Sequence, residues 1–157
     1  MAKPRPVELD AEMTFAEAAS VAIATRSHEL FHCADRVLDT EDIERVHDMR
    51  VATRRLRAVL EIFAPCFPKR LHRGVLRDVK VLADALGERR DPDVHIAALD
   101  GFAAGVNASS RPGVALLADR FRAEQAEANV RLAEALRRTQ ESDLEGRLRE
   151  LVGRARA

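Results

Sequence analysis

Apolar residues recur along most of the chain at three- and four-residue spacing, the period of a helix with one face in a core. Alternating apolar–polar runs are almost absent, as are Tyr and Trp, so an all-α fold is expected. A first helix is predicted over 15–38, opened by a capping box of Thr14 and Glu17. Its core stripe is read as Phe15, Ala18, Ala22, Leu30, Phe31, Ala34 and Val37 or Leu38. A second helix spans 42–64 and is stopped by Pro65 and Pro68. A third covers 69–86, with Gly87 as its C-terminal cap, and Pro92 opens a fourth that ends near Gly105. The Asn-, Ser-, Gly- and Pro-containing stretch 106–113 is the clearest loop. A long fifth helix follows at 114–139, and a short charged one at 144–152.

Four helices joined by short turns favour antiparallel neighbours. The expected fold is therefore an antiparallel four-helix bundle with one long additional C-terminal helix. A flexible N-terminus is expected for 1–13 and a single helical domain for 14–157, its motifs in 14–105 and its C-terminal helices in 114–157.

The chain's 157 residues suit one domain of ordinary size. No apolar run nears the ~20 residues of a spanning helix. The first ten residues lack the apolar centre of a signal peptide, so a cytoplasmic protein with no membrane partner is expected. Cys33 and Cys66 are too few for a disulfide framework and are read as free thiols.

Charge matters more by segment than in total. Basic and acidic residues number 26 each, and 23 of the basic ones are Arg. Residues 45–90 hold 12 basic and 5 acidic groups, which leaves 14 basic and 21 acidic elsewhere. A basic block on an acidic background invites a polyanion.

The second helix holds the sequence VHDMRVATRRLRAVLEIF. At about 100° per residue, His47, Arg50, Arg54 and Arg57 fall on one stripe. Arg55 stands to the side, and Met49, Ala52, Leu56, Val59, Leu60 and Phe63 lie opposite. The third helix repeats the pattern with Arg73, Arg77 and Lys80, so antiparallel packing would let the two basic rows flank a groove. Arg89 and Arg90 extend the set, while Asp91 and Asp93 either orient Arg90 or cap the fourth helix, and capping is the preferred reading. Cations at i and i+4 destabilise a helix by a few tenths of a kcal/mol per pair. Asp48, Asp78 and Asp84 are the carboxylates expected to offset them. Stability explains such rows poorly, whereas a linear polyanion pairing with several guanidinium groups explains them well. His47 would donate one hydrogen bond to a phosphate.

Other chemistries fit less well. Phosphate enzymes need a carboxylate cluster for a metal or a placed nucleophile, and the basic helices offer neither. Glu44-x-x-His47 has the spacing of half a di-iron site, but the companion motif is missing. Neither a catalytic residue, a cofactor nor a metal is expected. Nucleic acid is a weaker candidate, because single-strand binders add aromatic platforms and groove readers add Asn, Gln or Ser beside Arg. A module that binds an acidic protein or localises to granules is the third reading.

The order His47-x-x-Arg50-x-x-x-Arg54-Arg55-x-Arg57, then Leu82-Ala-Asp-Ala-Leu-Gly87, then Arg90-Asp91-x-Asp93-Val94 resembles the CHAD family, the conserved histidine α-helical domain. Lys80 also stands where that family has a basic residue. The resemblance covers the first four predicted helices. It implies a helical bundle that binds inorganic polyphosphate through a basic groove without catalysis, with His47, Arg50, Arg54, Arg55, Arg57, Arg73, Arg77, Lys80 and Arg90 as ligands. It also implies possible association with polyphosphate granules. The family carries two related helical halves, each with a basic helix. After Ala103 no second such row is found, since Arg120, Arg122, Arg131, Arg137 and Arg138 are scattered among Glu124, Glu127 and Glu134. A half-length version matching the N-terminal repeat is therefore expected, paired as a homodimer about a two-fold axis.

Overall fold

A computed structural model describes residues 4–156. They form five α-helices packed together, with no strand among the described residues. The helices are α1 (Phe15–His32), α2 (Ile43–Ile62), α3 (Lys69–Ala103), α4 (Arg111–Glu141) and α5 (Leu144–Gly153), with a 3-10 turn at Ala64–Cys66.

The capping box at the start of α1 forms as read. Glu17 N donates to Thr14 Oγ1, and Thr14 N donates to Glu17 Oε2. The helix stops at His32, earlier than expected. Residues 33–38 turn instead, with Arg36 in the left-handed region at φ 53°. Val37 still reaches the core, but Phe15 does not. It is 56% exposed and leans on Phe63, while Ala16, Ala19 and Ile23 face inward. Part of the expected N-terminal segment, residues 1–3, lies outside the described residues. From Pro4 on, the segment follows α1: Arg5 N donates to Glu29 Oε1, and Arg26 Nη1 donates to the Arg5 carbonyl.

α3 is the central element, between α2 and α4, while α5 closes against α1. Its inward stripe of Val75, Val79, Leu82 and Leu86 meets Met49, Leu56 and Leu60 of α2, with Leu132, Leu148 and Leu151 completing the core. Each such side chain contributes about 1.5–3 kcal/mol on burial. The α2–α3 corner is fixed by His72, which is buried against Phe67 with Nε2 2.8 Å from the Leu60 carbonyl oxygen.

The expected break between a third and a fourth helix is absent. α3 runs unbroken through Gly87 and Pro92, so Gly87 is no cap and Asp91 and Asp93 open no helix. Pro92 removes one backbone donor and its ring crowds the carbonyl one turn back, which together cost ~3 kcal/mol in a helix interior. Tertiary bonding offsets this. Arg89 and Asp93, both fully buried, pair across the proline. From α4, Gln125 Nε2 donates to Asp93 at 2.6 Å, and Asn129 Oδ1 accepts from Arg89 Nε at 3.1 Å. Beyond this lock the α3–α4 hairpin is thin, with Ala118 its one buried residue until Ala128. The loop falls at 104–110, close to where composition placed it.

Candidate functional site

α2 places its apolar residues against α1 and α3, and this orients its basic stripe. Arg50 and Arg54 are exposed and have no ion pair among the described residues. His47 is half-buried on the same stripe. One turn after Arg54, Arg57 Nε donates to Glu61 Oε1 at 3.0 Å. The same oxygen lies 3.2 Å from Lys80 Nζ on α3, so two cations from two helices share one carboxylate. Hydrogen bonds from Arg57 and then Lys80 hold the Glu61 carboxyl below its usual range, which keeps it ionised. The expected counter-charges Asp48, Asp78 and Asp84 did not include it. Glu61 lies one turn past Arg57 on the same helix, and that i, i+4 spacing was the available signal.

At the other end of α2, Arg90 Nη1 donates to the Ile43 carbonyl at 3.1 Å, and Nη2 lies 3.8 Å from Glu44. Its side chain is only 16% exposed, so it ties α3 to the start of α2 more than it faces solvent. Arg89 is removed from the surface altogether by its pairing with Asp93.

The remaining candidates point elsewhere. Arg55 turns toward α1, where it lines a hollow with Arg5, His28, His32, Cys33 and Asp48. Arg77 lies beside Asp78 at 3.1 Å and lines a hollow shared with Ala135 and Arg138 of α4. Arg73 is exposed, with no ion pair among the described residues. The structure thus brings Lys80 beside Arg57 at one end of α2 and Arg90 to the other end. It leaves Arg50, Arg54 and Arg73 open, and it turns Arg55 and Arg77 to the two flanks.

No group of three or more His, Cys, Asp or Glu among the described residues could hold a metal ion. Both cysteines are free. Burial pushes the Cys33 thiol up, helped by the Asp48 and Glu29 carboxylates, and burial alone does the same to Cys66. Such thiols are poor nucleophiles. No helix of the described residues is long and apolar enough to cross a membrane.

No curated protein matches the chain significantly. The CHAD domain matches residues 21–157, from the first turns of α1 through α5, and so reaches well past the motif-bearing helices. A match over most of the sequence, with the histidine–arginine row on the solvent face of α2, shows that the chain belongs to the CHAD domain family.

Proposed function

We propose that this chain binds inorganic polyphosphate, or a closely similar linear polyanion, along the basic face of α2 and α3, without catalysing a reaction on it. The observation that carries the reading is that Arg50, Arg54 and Arg73 are exposed and without an ion pair among the described residues, on the same two helices as the Arg57–Glu61–Lys80 cluster. Arg50 and Arg54, one turn apart, repel each other with no carboxylate between them, at a few tenths of a kcal/mol. A polymer with a charge on every phosphate relieves that repulsion, and guanidinium forks suit its paired oxygens. His47 and Lys80 add donors at the edges of the row, while Arg55 and Arg77 offer flanking charge. On this reading the protein works in the cytoplasm, on or near polyphosphate granules, and two copies acting together would present a longer track to one polymer.

The test is competition binding at two salt concentrations. Labelled long-chain polyphosphate is challenged with single-stranded DNA, RNA and heparin. Polyphosphate should be preferred, with a log–log salt slope of about −0.7 to −0.9 per phosphate neutralised, by analogy with nucleic acids. Arg50→Gln with Arg54→Gln should flatten that slope by about 1.4 to 1.8 units while helix content stays unchanged. Equal competition by nucleic acid would reassign the ligand, and no binding at all would turn attention to an acidic protein partner.

A further inference from the structure

The outward face of α4, turned away from α3, carries the two most exposed large apolar side chains of the described residues, Leu116 at 74% and Val130 at 71%. They are separated by two heptads, about 21 Å along the axis, with Ala123 midway. Residues seven apart drift by only ~20° on a helix, so the three form one stripe. The residues that face α3, Ala118, Ala128, Leu132 and Ala135, fall on the opposite side. The stripe therefore adds nothing to the chain's own core, and α4 keeps it at a cost in solvent-exposed apolar surface.

We propose that this stripe is a self-pairing seam, on which α4 packs antiparallel against α4 of a second copy, with the two-fold axis at Ala123. Antiparallel register about Ala123 sets Leu116 against the partner's Val130, and Val130 against the partner's Leu116. The small residue at the centre lets the helix axes approach to about 8 Å, the near end of the usual range. Charge selects this direction. Arg120 and Glu127 flank the stripe on one side, four residues past Leu116 and Ala123 respectively. In the antiparallel pair Arg120 meets the partner's Glu127, twice over by symmetry. In a parallel two-fold pair the flank that carries Arg120 and Glu127 falls on the opposite side of the seam from its copy, so Arg120 and Glu127 do not meet across it. Within the chain Arg120 lies 3.2 Å from Glu124, an exposed pair that association exchanges for the contact with the partner's Glu127.

A standard stable interface takes roughly 20–30 residues a side. The seam is much smaller, so the pair is reversible and concentration-dependent. It lies on a different helix from the α2–α3 basic face, and its success or failure is independent of the polyphosphate reading.

Sedimentation velocity over the micromolar to millimolar range tests it, with far-UV circular dichroism to show that each variant is folded. The full chain should sediment faster as concentration rises. Arg120→Glu alone and Glu127→Arg alone should each weaken association by at least about tenfold, since each creates two like-charge contacts. The double variant should regain it, which parallel pairing would not allow. Leu116→Glu, on the exposed face, should abolish association in a folded chain. A wild-type chain that stays monomeric throughout, or a double variant as weak as the singles, overturns the proposal.

Discussion

Lys80 Nζ stands 3.2 Å from Glu61 Oε1, so the one carboxylate within the basic row ties α3 to α2 while it neutralises part of that row. A polyanion approaching Arg57 and Lys80 must compete with it. Glu61→Gln should therefore raise polyphosphate affinity about threefold at low salt, the scale of an exposed ion pair. Titration calorimetry or fluorescence anisotropy reads this directly. Weaker binding by the variant would mean that Glu61 positions the two cations for the ligand instead of competing with it.

Arg89 and Asp93 pair within α3 inside the protein and are tied to α4 by Asn129 and Gln125, and Arg89 Nη2 and Asp93 Oδ2 have no hydrogen-bond partner among the described residues. Removing one charge leaves the other buried and uncompensated, at about 3–5 kcal/mol. Asp93→Asn should lose that much in urea unfolding. Arg89→Met combined with Asp93→Leu should lose far less, because no lone charge then remains. A single variant within about 1 kcal/mol of wild type would show that water reaches the pair.

Gly87 lies inside α3 with negative φ, and nothing stands within 4 Å of where a Cβ would be. Gly87→Ala should stabilise the protein by about 0.4–1 kcal/mol through the unfolded chain. Had Gly87 been a left-handed helix cap, the same change would destabilise. Thermal unfolding decides the sign.

Asp78 of α3 accepts from Arg147 of α5 at 2.6 Å and also from Arg77. Burial raises its carboxyl, but the hydrogen bonds from Arg147 and Arg77 outweigh that and leave it below the usual value. A carboxyl lowered on folding contributes fully above its unfolded value of about 3.9, and the contribution is lost as pH falls through the folded value. The stability gap between wild type and Asp78→Asn should be steady near neutrality and shrink below about pH 4. A gap that persists in acid would assign the effect to packing alone.

Much was legible in the sequence because helical periodicity and capping act locally. The Thr14–Glu17 box, the apolar stripes of α2 and α3 and the basic row opposite need only spacing along one helix to be seen. The charged helix faces were legible to the same depth, as was the exposure of Arg50 and Arg54. What lay beyond it came from partners distant in the chain. Gly87 and Pro92 are local stop signals, yet Gln125 and Asn129 approach from α4 to secure Arg89 and Asp93, and α3 continues. Phe15 has the right spacing for a core, but α1 turns Ala16, Ala19 and Ile23 inward instead. Arg77 belongs to the basic row of α3 by helical angle and Arg55 stands beside that of α2, but only the packing of α4 and α1 decides which neighbours each one meets. Local bonding energies decide where a helix starts and which face is greasy. Which neighbour that face meets, and so which arginines stay open to a ligand, is decided by burial summed over the whole core, which no single segment contains.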